Sequence, residues 1–419
     1  MRYGNKRRSV VFIILLASAI LLAVVSASGL SSTQPHQISD HFDGKLFFNP
    51  SSLQLQTGEP QRQNRGLFSF AWRWLVGTDR PDWPTLENLS PGPRPDLIVS
   101  GGTIRITPVG HATFLIQMDG LNLLTDPIWS DRCSPVSWAG PRRHQPPGIL
   151  FEDLPPIDAV LISHNHYDHL DRPTLQHLAA KGTTRALTPL GDRELIQETG
   201  IRDVTELDWW QSISLSNTVT LTFVPAQHFS SRTPWDRNET LWGGFVISGP
   251  SGNIYYAGDT GYGPHFKEIA RRFPPIRVAL LPISPFQPQQ SKTAQPPLFS
   301  VVHMSPAEAI QAHADLGASL SIAAHFQVFQ LGWDGFDDAV KELTANMKKN
   351  TLAPGDFLAP TTGTPIEIRT PLAAKDNPSG KTTCAPSYHI TRCQDISRAL
   401  ICNPWGRDLS FLRIRHTPE

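Results

Sequence analysis

The chain has 419 residues, 39% of them apolar and 18% charged, and its 37 Lys plus Arg balance 37 Asp plus Glu. That length admits one large domain with extensions or two ordinary ones. The charge balance gives no reason to expect a partner recruited by bulk charge, nucleic acid above all.

At the N-terminus, Arg2, Lys6, Arg7 and Arg8 precede an apolar run from Val10 to Val25 that ends in Ser26-Ala27-Ser28-Gly29. Residues 1–29 therefore read as a targeting segment: a signal peptide with Val25 and Ala27 at the cleavage site, or a retained membrane anchor. The basic flank holds that end in the cytoplasm, so in either case the bulk of the chain is exported, to the periplasmic or extracellular side. An ordinary basic flank accounts for Arg7-Arg8 better than a twin-arginine signal.

Residues 30–103 read as an extension packing on the core, and the stretch Phe68-Ser69-Phe70-Ala71-Trp72-Arg73-Trp74-Leu75 as buried, with lipid contact the alternative. From Ile104 to Glu367 short β-branched runs alternate with helical stretches, so residues 104–369 form one layered α/β domain. Runs at 104–106, 113–118 and 121–124 make an antiparallel meander, and 159–163 is a buried strand. Pro173 opens a helix to Ala180 that Gly182 closes. Strands follow at 218–224, 244–247, 254–257, 278–283 and 320–324. Ser305-Pro306-Ala307-Glu308 is a capping box with Pro at the first helical position, opening a helix to Leu316. Residues 370–419 are a polar appendage whose Cys384, Cys393 and Cys402 join Cys133 as a disulfide staple or as free thiols. No C-x-x-C pair points to a separate structural zinc site.

The strand at 159–163 runs straight into His164-Asn165-His166-Tyr167-Asp168-His169. A loop at a strand end lets these side chains converge, and imidazole nitrogen mixed with carboxylate oxygen suits zinc at neutral pH. Three further strands lead to ligand types: 218–224 to His228, 254–257 to Asp259, and 320–324 to His325. Singly, each histidine reads as a packed residue and Asp259 as a turn residue of Gly258-Asp259-Thr260-Gly261. Together they read as one site gathered at the sheet ends.

In this motif order, H-x-H-x-D-H and then His, Asp and His, the span from Ile104 to Glu367 resembles the metallo-β-lactamase superfamily. Thr125-Asp126-Pro127-Ile128-Trp129-Ser130, Gln227-His228-Phe229-Ser230-Ser231-Arg232-Thr233, Leu241-Trp242-Gly243-Gly244 and Ala257-Gly258-Asp259-Thr260-Gly261-Tyr262 further resemble the N-acyl-phosphatidylethanolamine-hydrolysing phospholipases D. Asp40-His41-Phe42-Asp43-Gly44-Lys45 and Phe47-Phe48-Asn49-Pro50 resemble their bacterial relatives.

The resemblance implies an αββα sandwich with two zinc ions, iron or manganese being alternative occupants of one site. It implies one ion on His164, His166 and His228, a second on Asp168, His169 and His325, and Asp259 between them. Asp168, Asp259 and His303 become the catalytic residues, His303 either facing the substrate phosphate or serving only to start a helix. A hydroxide bridging the metals, acidified from ~16 in bulk to about 7, would attack the phosphorus of a phospholipid at a membrane surface. Asp168 would orient that water or pass a proton. Asp126 reads as an Asp-Pro turn residue, with a supporting role behind the ligands the alternative, and Cys133 as a loop thiol without nucleophilic character.

Two rivals stand beside this reading. One is a lactonase, or a phosphodiesterase for a soluble substrate, on the same metals. The other is a non-enzymatic zinc-binding envelope protein, against which stand the open coordination positions that seven ligands leave around two ions.

Overall fold

The computed structural model of the chain describes residues 37–50, 80–183, 185–286 and 301–369. The targeting segment 1–29, the aromatic stretch from Phe68 to Leu75 and the cysteine-bearing tail 370–419 lie outside the described residues.

Period-two alternation of apolar side chains builds two sheets face to face. The first contains β1 (Thr103–Gly110), β2 (Thr113–Met118), β3 (Leu121–Thr125), β4 (Ala159–Leu161), β5 (Arg185–Pro189) and β6 (Asp203–Leu207). The second runs through β7 (Ser212–Ser214), β8 (Thr220–Val224), β9 (Gly244–Gly249), β10 (Gly252–Tyr256), β11 (Ile276–Pro282), β12 (Leu320–Ala324) and β13 (Phe357–Leu358). The last strand, β14 (Ile366–Arg369), returns to pair antiparallel with β1. Apart from β14, each sheet is antiparallel in its earlier strands and parallel in its later ones.

Alternation then sorts each strand between two cores. On β4, Ala159 and Leu161 enter the apolar layer between the sheets, where Phe114, Phe223, Phe245, Tyr256 and Leu280 also sit, while Val160 faces outward. The outer face of the first sheet is covered by α1 (Arg172–Ala180) and α2 (Arg193–Gln197) through Leu175, Leu178 and Ile196. The second sheet is covered by α3 (His265–Arg272), α4 (Pro306–Leu316) and α5 (Asp338–Lys349) through Phe266, Ile269, Ala309, Leu343 and Met347. The result is the αββα sandwich that the resemblance implies.

Local signals behave as read. The Ser305 hydroxyl accepts from the Glu308 N–H and the Glu308 carboxylate accepts from the Ser305 N–H, while Gly317 ends α4 at φ 56°. Among the described residues no helix is long and apolar enough to cross a membrane.

Residues 37–50 form a strap over the sandwich, with Phe42 and Phe47 buried in the layer between the sheets. His41 stacks on Trp209, its Nε2 is 2.7 Å from Asp208 Oδ1, and its Nδ1 is 2.7 Å from Asp40 Oδ1. Burial pulls the imidazole pKa down, but Asp208 and Asp40 outweigh it and raise the pKa above the ordinary 6.5. A pKa raised on folding means that the protonated form is favoured in the folded state. The stabilisation is therefore complete below about 6.5 and lost as pH climbs through the higher folded value. Asp208→Asn is expected to lower the unfolding temperature most at acidic pH, with the gap to the parent closing above neutrality. A gap independent of pH would contradict this account.

Candidate metal centre

The ends of β4, β8, β10 and β12 open onto one edge of the sandwich, and the side chains that follow them meet there. His164 to His169 follow β4, His228 follows β8, Asp259 follows β10, and His325 follows β12 directly with φ 61°. The loop after β10 turns at Gly258, φ 61°, where a Cβ would stand 2.6 Å from the Ser163 Cβ and 3.0 Å from the Gly243 carbonyl oxygen. Only glycine fits that crossing. His111 at the β1–β2 turn and Asp126 just past β3 also adopt positive φ, 59° and 33°. Such backbone costs about 1–3 kcal/mol per residue and gathers at functional sites.

One pocket is made of imidazoles alone. One ring nitrogen from each of His164, His166 and His228 lies within 4.8 Å of the others. His164 Nε2 is 2.8 Å from His166 Nδ1, and His228 Nε2 is 3.3 Å from it. The far nitrogens fix the tautomers. Ser163 Oγ donates to Asp126, so it accepts from His164 Nδ1–H, and His228 Nδ1–H donates to the Val302 carbonyl at 2.9 Å. Two Nε2 lone pairs thus point at the same space, an arrangement that calls for a cation. Burial is the main reason that all three rings stay neutral, with the pKa of His166 and of His228 lowered to about 3 and that of His164 well below its ordinary value. Neutral imidazole is the ligating form.

The adjoining pocket mixes charge. His111, Asp168, His169 and His325 each offer one atom to a cluster within 4.8 Å. Asp168 Oδ2 lies 2.9 Å from His111 Nε2, 3.2 Å from His325 Nε2 and 3.3 Å from His169 Nε2. Asp259 Oδ2 lies between the pockets, 3.2 Å from His325 Nε2, 3.3 Å from His169 Nε2 and 3.8 Å from His228 Nε2. Burial opposes charge on His325, yet Asp259 and Asp168 raise its pKa to about 9. His169 is raised well above its ordinary value in the same way, by Asp259, Asp168 and Asp126 against burial. The site therefore attracts positive charge wherever its carboxylates lie together. His169 Nε2 and Asp259 Oδ1 are buried without a hydrogen-bond partner, atoms that a metal ion would satisfy. The donor set fits two divalent cations.

Asp126 corrects its reading as a turn residue. Its Oδ2 accepts from His169 Nδ1–H at 2.6 Å and from the Ser163 and Tyr256 hydroxyls at 2.5 Å each, and its Oδ1 accepts from the Ser163 N–H at 2.7 Å. It is the carboxylate behind His169. His111 was not among the predicted ligands, and the turn that presents it has no chemical signature beyond the histidine itself. Arg232 braces the His164 loop from outside. It donates from Nη1 to the carbonyls of Asn165 and Leu170, and its guanidinium lies 3.9 Å from the Tyr167 ring centroid. His303 stands beside the first pocket with Nδ1 3.7 Å from Asp259 Oδ2, and its side chain is 11% exposed against 2% for Asp259. Cys133 is buried, and that burial pushes its thiol pKa well up, which leaves it inert.

The family model of the beta-lactamase superfamily domain matches residues 121–326, a span that holds every predicted metal ligand. N-acyl-phosphatidylethanolamine-hydrolyzing phospholipase D 1 of Caenorhabditis elegans is 32% identical over 318 residues, covering 72% of this chain and 87% of that protein. An uncharacterized protein of Mycobacterium tuberculosis (strain ATCC 25618 / H37Rv) is 39% identical over 241 residues, 56% of this chain. The chain spans only 62% of that mycobacterial relative's length. A metal-dependent hydrolase of Methanopyrus kandleri is 30% identical over 260 residues, which cover 60% of this chain and 98% of that protein. Family match, sandwich and strand-end site agree: the chain belongs to the metallo-β-lactamase superfamily.

Proposed function

We propose that this metal-dependent hydrolase holds two zinc ions and cleaves a phosphodiester bond of N-acyl-phosphatidylethanolamine-like lipids, as a phospholipase D. The observation that carries the reading is the pair of adjoining His/Asp pockets joined by Asp259, in a chain that covers 87% of the C. elegans phospholipase D. His164, His166 and His228 would hold one ion, Asp168, His169 and His325 the other, and Asp259 both. Bound zinc supplies Lewis acidity toward a phosphoryl oxygen and acidifies water from ~16 to about 7.

The chain's own residues do the rest. Asp168 has Oδ2 in contact with three imidazoles, and although burial opposes it, the nearby charge of His169 and the hydrogen bonds from His111 and His325 hold its pKa well below the usual range. A carboxylate so tied orients its neighbours and is a weak proton acceptor, so we assign it positioning. His303, whose side chain is 11% exposed against 2% for Asp259, would meet a substrate phosphate with a ring N–H. Residues 1–29, as a signal or anchor, would bring such an enzyme to a lipid surface outside the cytoplasm.

Purified full-length chain, offered N-acyl-phosphatidylethanolamine, phosphatidylcholine and a lactone panel, is expected to release phosphatidic acid from the first and to contain two zinc ions per chain. Turnover of lactones with every lipid left intact would overturn the lipid reading.

A further inference from the structure

His228 lies beyond the end of β8, after Gln227 has made a last bridge to Gly261. Its own N–H and C=O have left the strand ladder, and buried peptide groups need partners. Both are met by one side chain 179 residues earlier in the chain, Asn49 of the strap. Asn49 Nδ2 donates to the His228 carbonyl at 2.8 Å, and Oδ1 accepts from the His228 N–H at 3.3 Å. A carboxamide offers the same donor and acceptor pair as a peptide, so it completes a strand edge that has run out.

The amide is itself fixed. Trp242, buried two residues before β9, donates from Nε1 to Asn49 Oδ1 at 3.2 Å and to the Ala226 carbonyl at 3.0 Å. The strap is anchored apart from Asn49: Phe42 and Phe47 are buried, the Phe47 N–H donates to the Asn238 carbonyl at 2.8 Å, and His41 meets Asp208. On its other side, the His228 ring is held by the Val302 carbonyl at 2.9 Å. Peptide and ring are thus gripped from two elements distant in sequence, and the ring is left one orientation, with Nε2 toward His166.

We propose that Asn49 is a positioning residue of the metal centre: its carboxamide clamps the His228 peptide and so aims the imidazole into the three-histidine pocket. The proposal rests on the reading of His228 as a ligand. It makes the N-terminal strap a working part of the site, and it predicts an effect on metal affinity at one pocket rather than on the fold at large. Groups that orient a metal ligand contribute about 10–100-fold to metal affinity.

The test uses the full chain stripped of metal and titrated with cobalt(II) and zinc(II) against a chromophoric chelator, with the cobalt(II) visible spectrum recorded. Asn49→Ala is expected to weaken one of two binding events by about 10–100-fold, to shift the spectrum of that ion, and to leave the other event unchanged. Asn49→Asp keeps the shape and the oxygen that accepts from Trp242, but sets a carboxylate oxygen against the His228 carbonyl. It should weaken the same event, and it serves if the alanine variant does not fold. Folded variants with parental affinities and spectrum would overturn the clamp. His228→Ala run in parallel separates the two levels. If it removes one ion while both Asn49 variants keep two at parental affinity, the clamp alone is wrong. If His228→Ala itself keeps both ions at parental affinity, the ligand assignment is wrong and the clamp falls with it.

Discussion

Asp259→Asn is expected to lower hydrolytic turnover by about 10³-fold and to leave the chain with one firmly held metal ion in place of two. The substitution keeps the volume of a side chain buried at the meeting of the two pockets and removes only its charge. That charge is shared: Oδ2 lies 3.2 Å from His325 Nε2, 3.3 Å from His169 Nε2 and 3.8 Å from His228 Nε2, so it reaches ligands of both pockets. Burial works against an ionised carboxylate there, yet His169 and His325 hold its pKa well below the ordinary carboxylate value. The surrounding imidazoles and the carboxylate therefore depend on one another, and an amide supplies neither the charge nor the second acceptor. A missing Lewis acid costs several kcal/mol of barrier, and at about 1.4 kcal/mol per tenfold in rate, ~4 kcal/mol gives the three decades expected. Kinetics on the hydrolysed substrate, paired with metal analysis, checks both parts. A variant with parental turnover and two ions would show that Asp259 does not join the pockets.

What the sequence reveals of this centre, and what it hides, follows from distance along the chain. The His164 to His169 loop is legible because its side chains are contiguous and follow an apolar run. His228, Asp259 and His325 are legible because each comes just after a run that alternates like a strand. Asp126 was misread because an Asp before a Pro is ordinary turn chemistry, and nothing local announces that its carboxylate turns inward to His169. His111 is not legible as a ligand because its position depends on a left-handed backbone at the β1–β2 turn, φ 59°, which no neighbouring residue announces. Asn49 is further removed still, since its partner is 179 residues away. In the fold, the long apolar runs are legible, whereas β5, β6, β7, β13, β14, α2, α3 and α5 are not. β6 alternates weakly, with Asp203 exposed and Glu206 serving Gly191 and Arg193 at its edge, so it lacks the hydrophobic period of a strand.

The hidden carboxylate gives the second large effect. Asp126→Ala is expected to destabilise the metal-free chain by about 3–5 kcal/mol and to weaken metal binding by about 10–100-fold. Four donors converge on this one buried side chain: the Ser163 N–H at 2.7 Å, the Ser163 hydroxyl at 2.5 Å, His169 Nδ1–H at 2.6 Å and the Tyr256 hydroxyl at 2.5 Å. The aspartate, His169, Ser163 and Tyr256 are each fully or almost fully buried, so water cannot replace the lost acceptor. Every orphaned donor costs about 1–3 kcal/mol, although they relax together and the sum is less than additive. The loss is also directional. Without Asp126 the Nδ1–H of His169 has nothing to fix its tautomer, and Ser163 no longer has a reason to accept from His164. Both pockets lose an orienting partner through a single residue. Asp126→Asn separates the contributions, because its oxygen can take the place of Oδ2 and serve three donors, leaving one amide group opposed to the Ser163 N–H. Denaturant unfolding of the metal-free proteins should therefore rank the parent above Asn and Asn above Ala. Metal titration should follow the same order. An alanine variant that unfolds with the parent would mean that these four contacts, however close, contribute nothing net, and that His169 is aimed by packing alone.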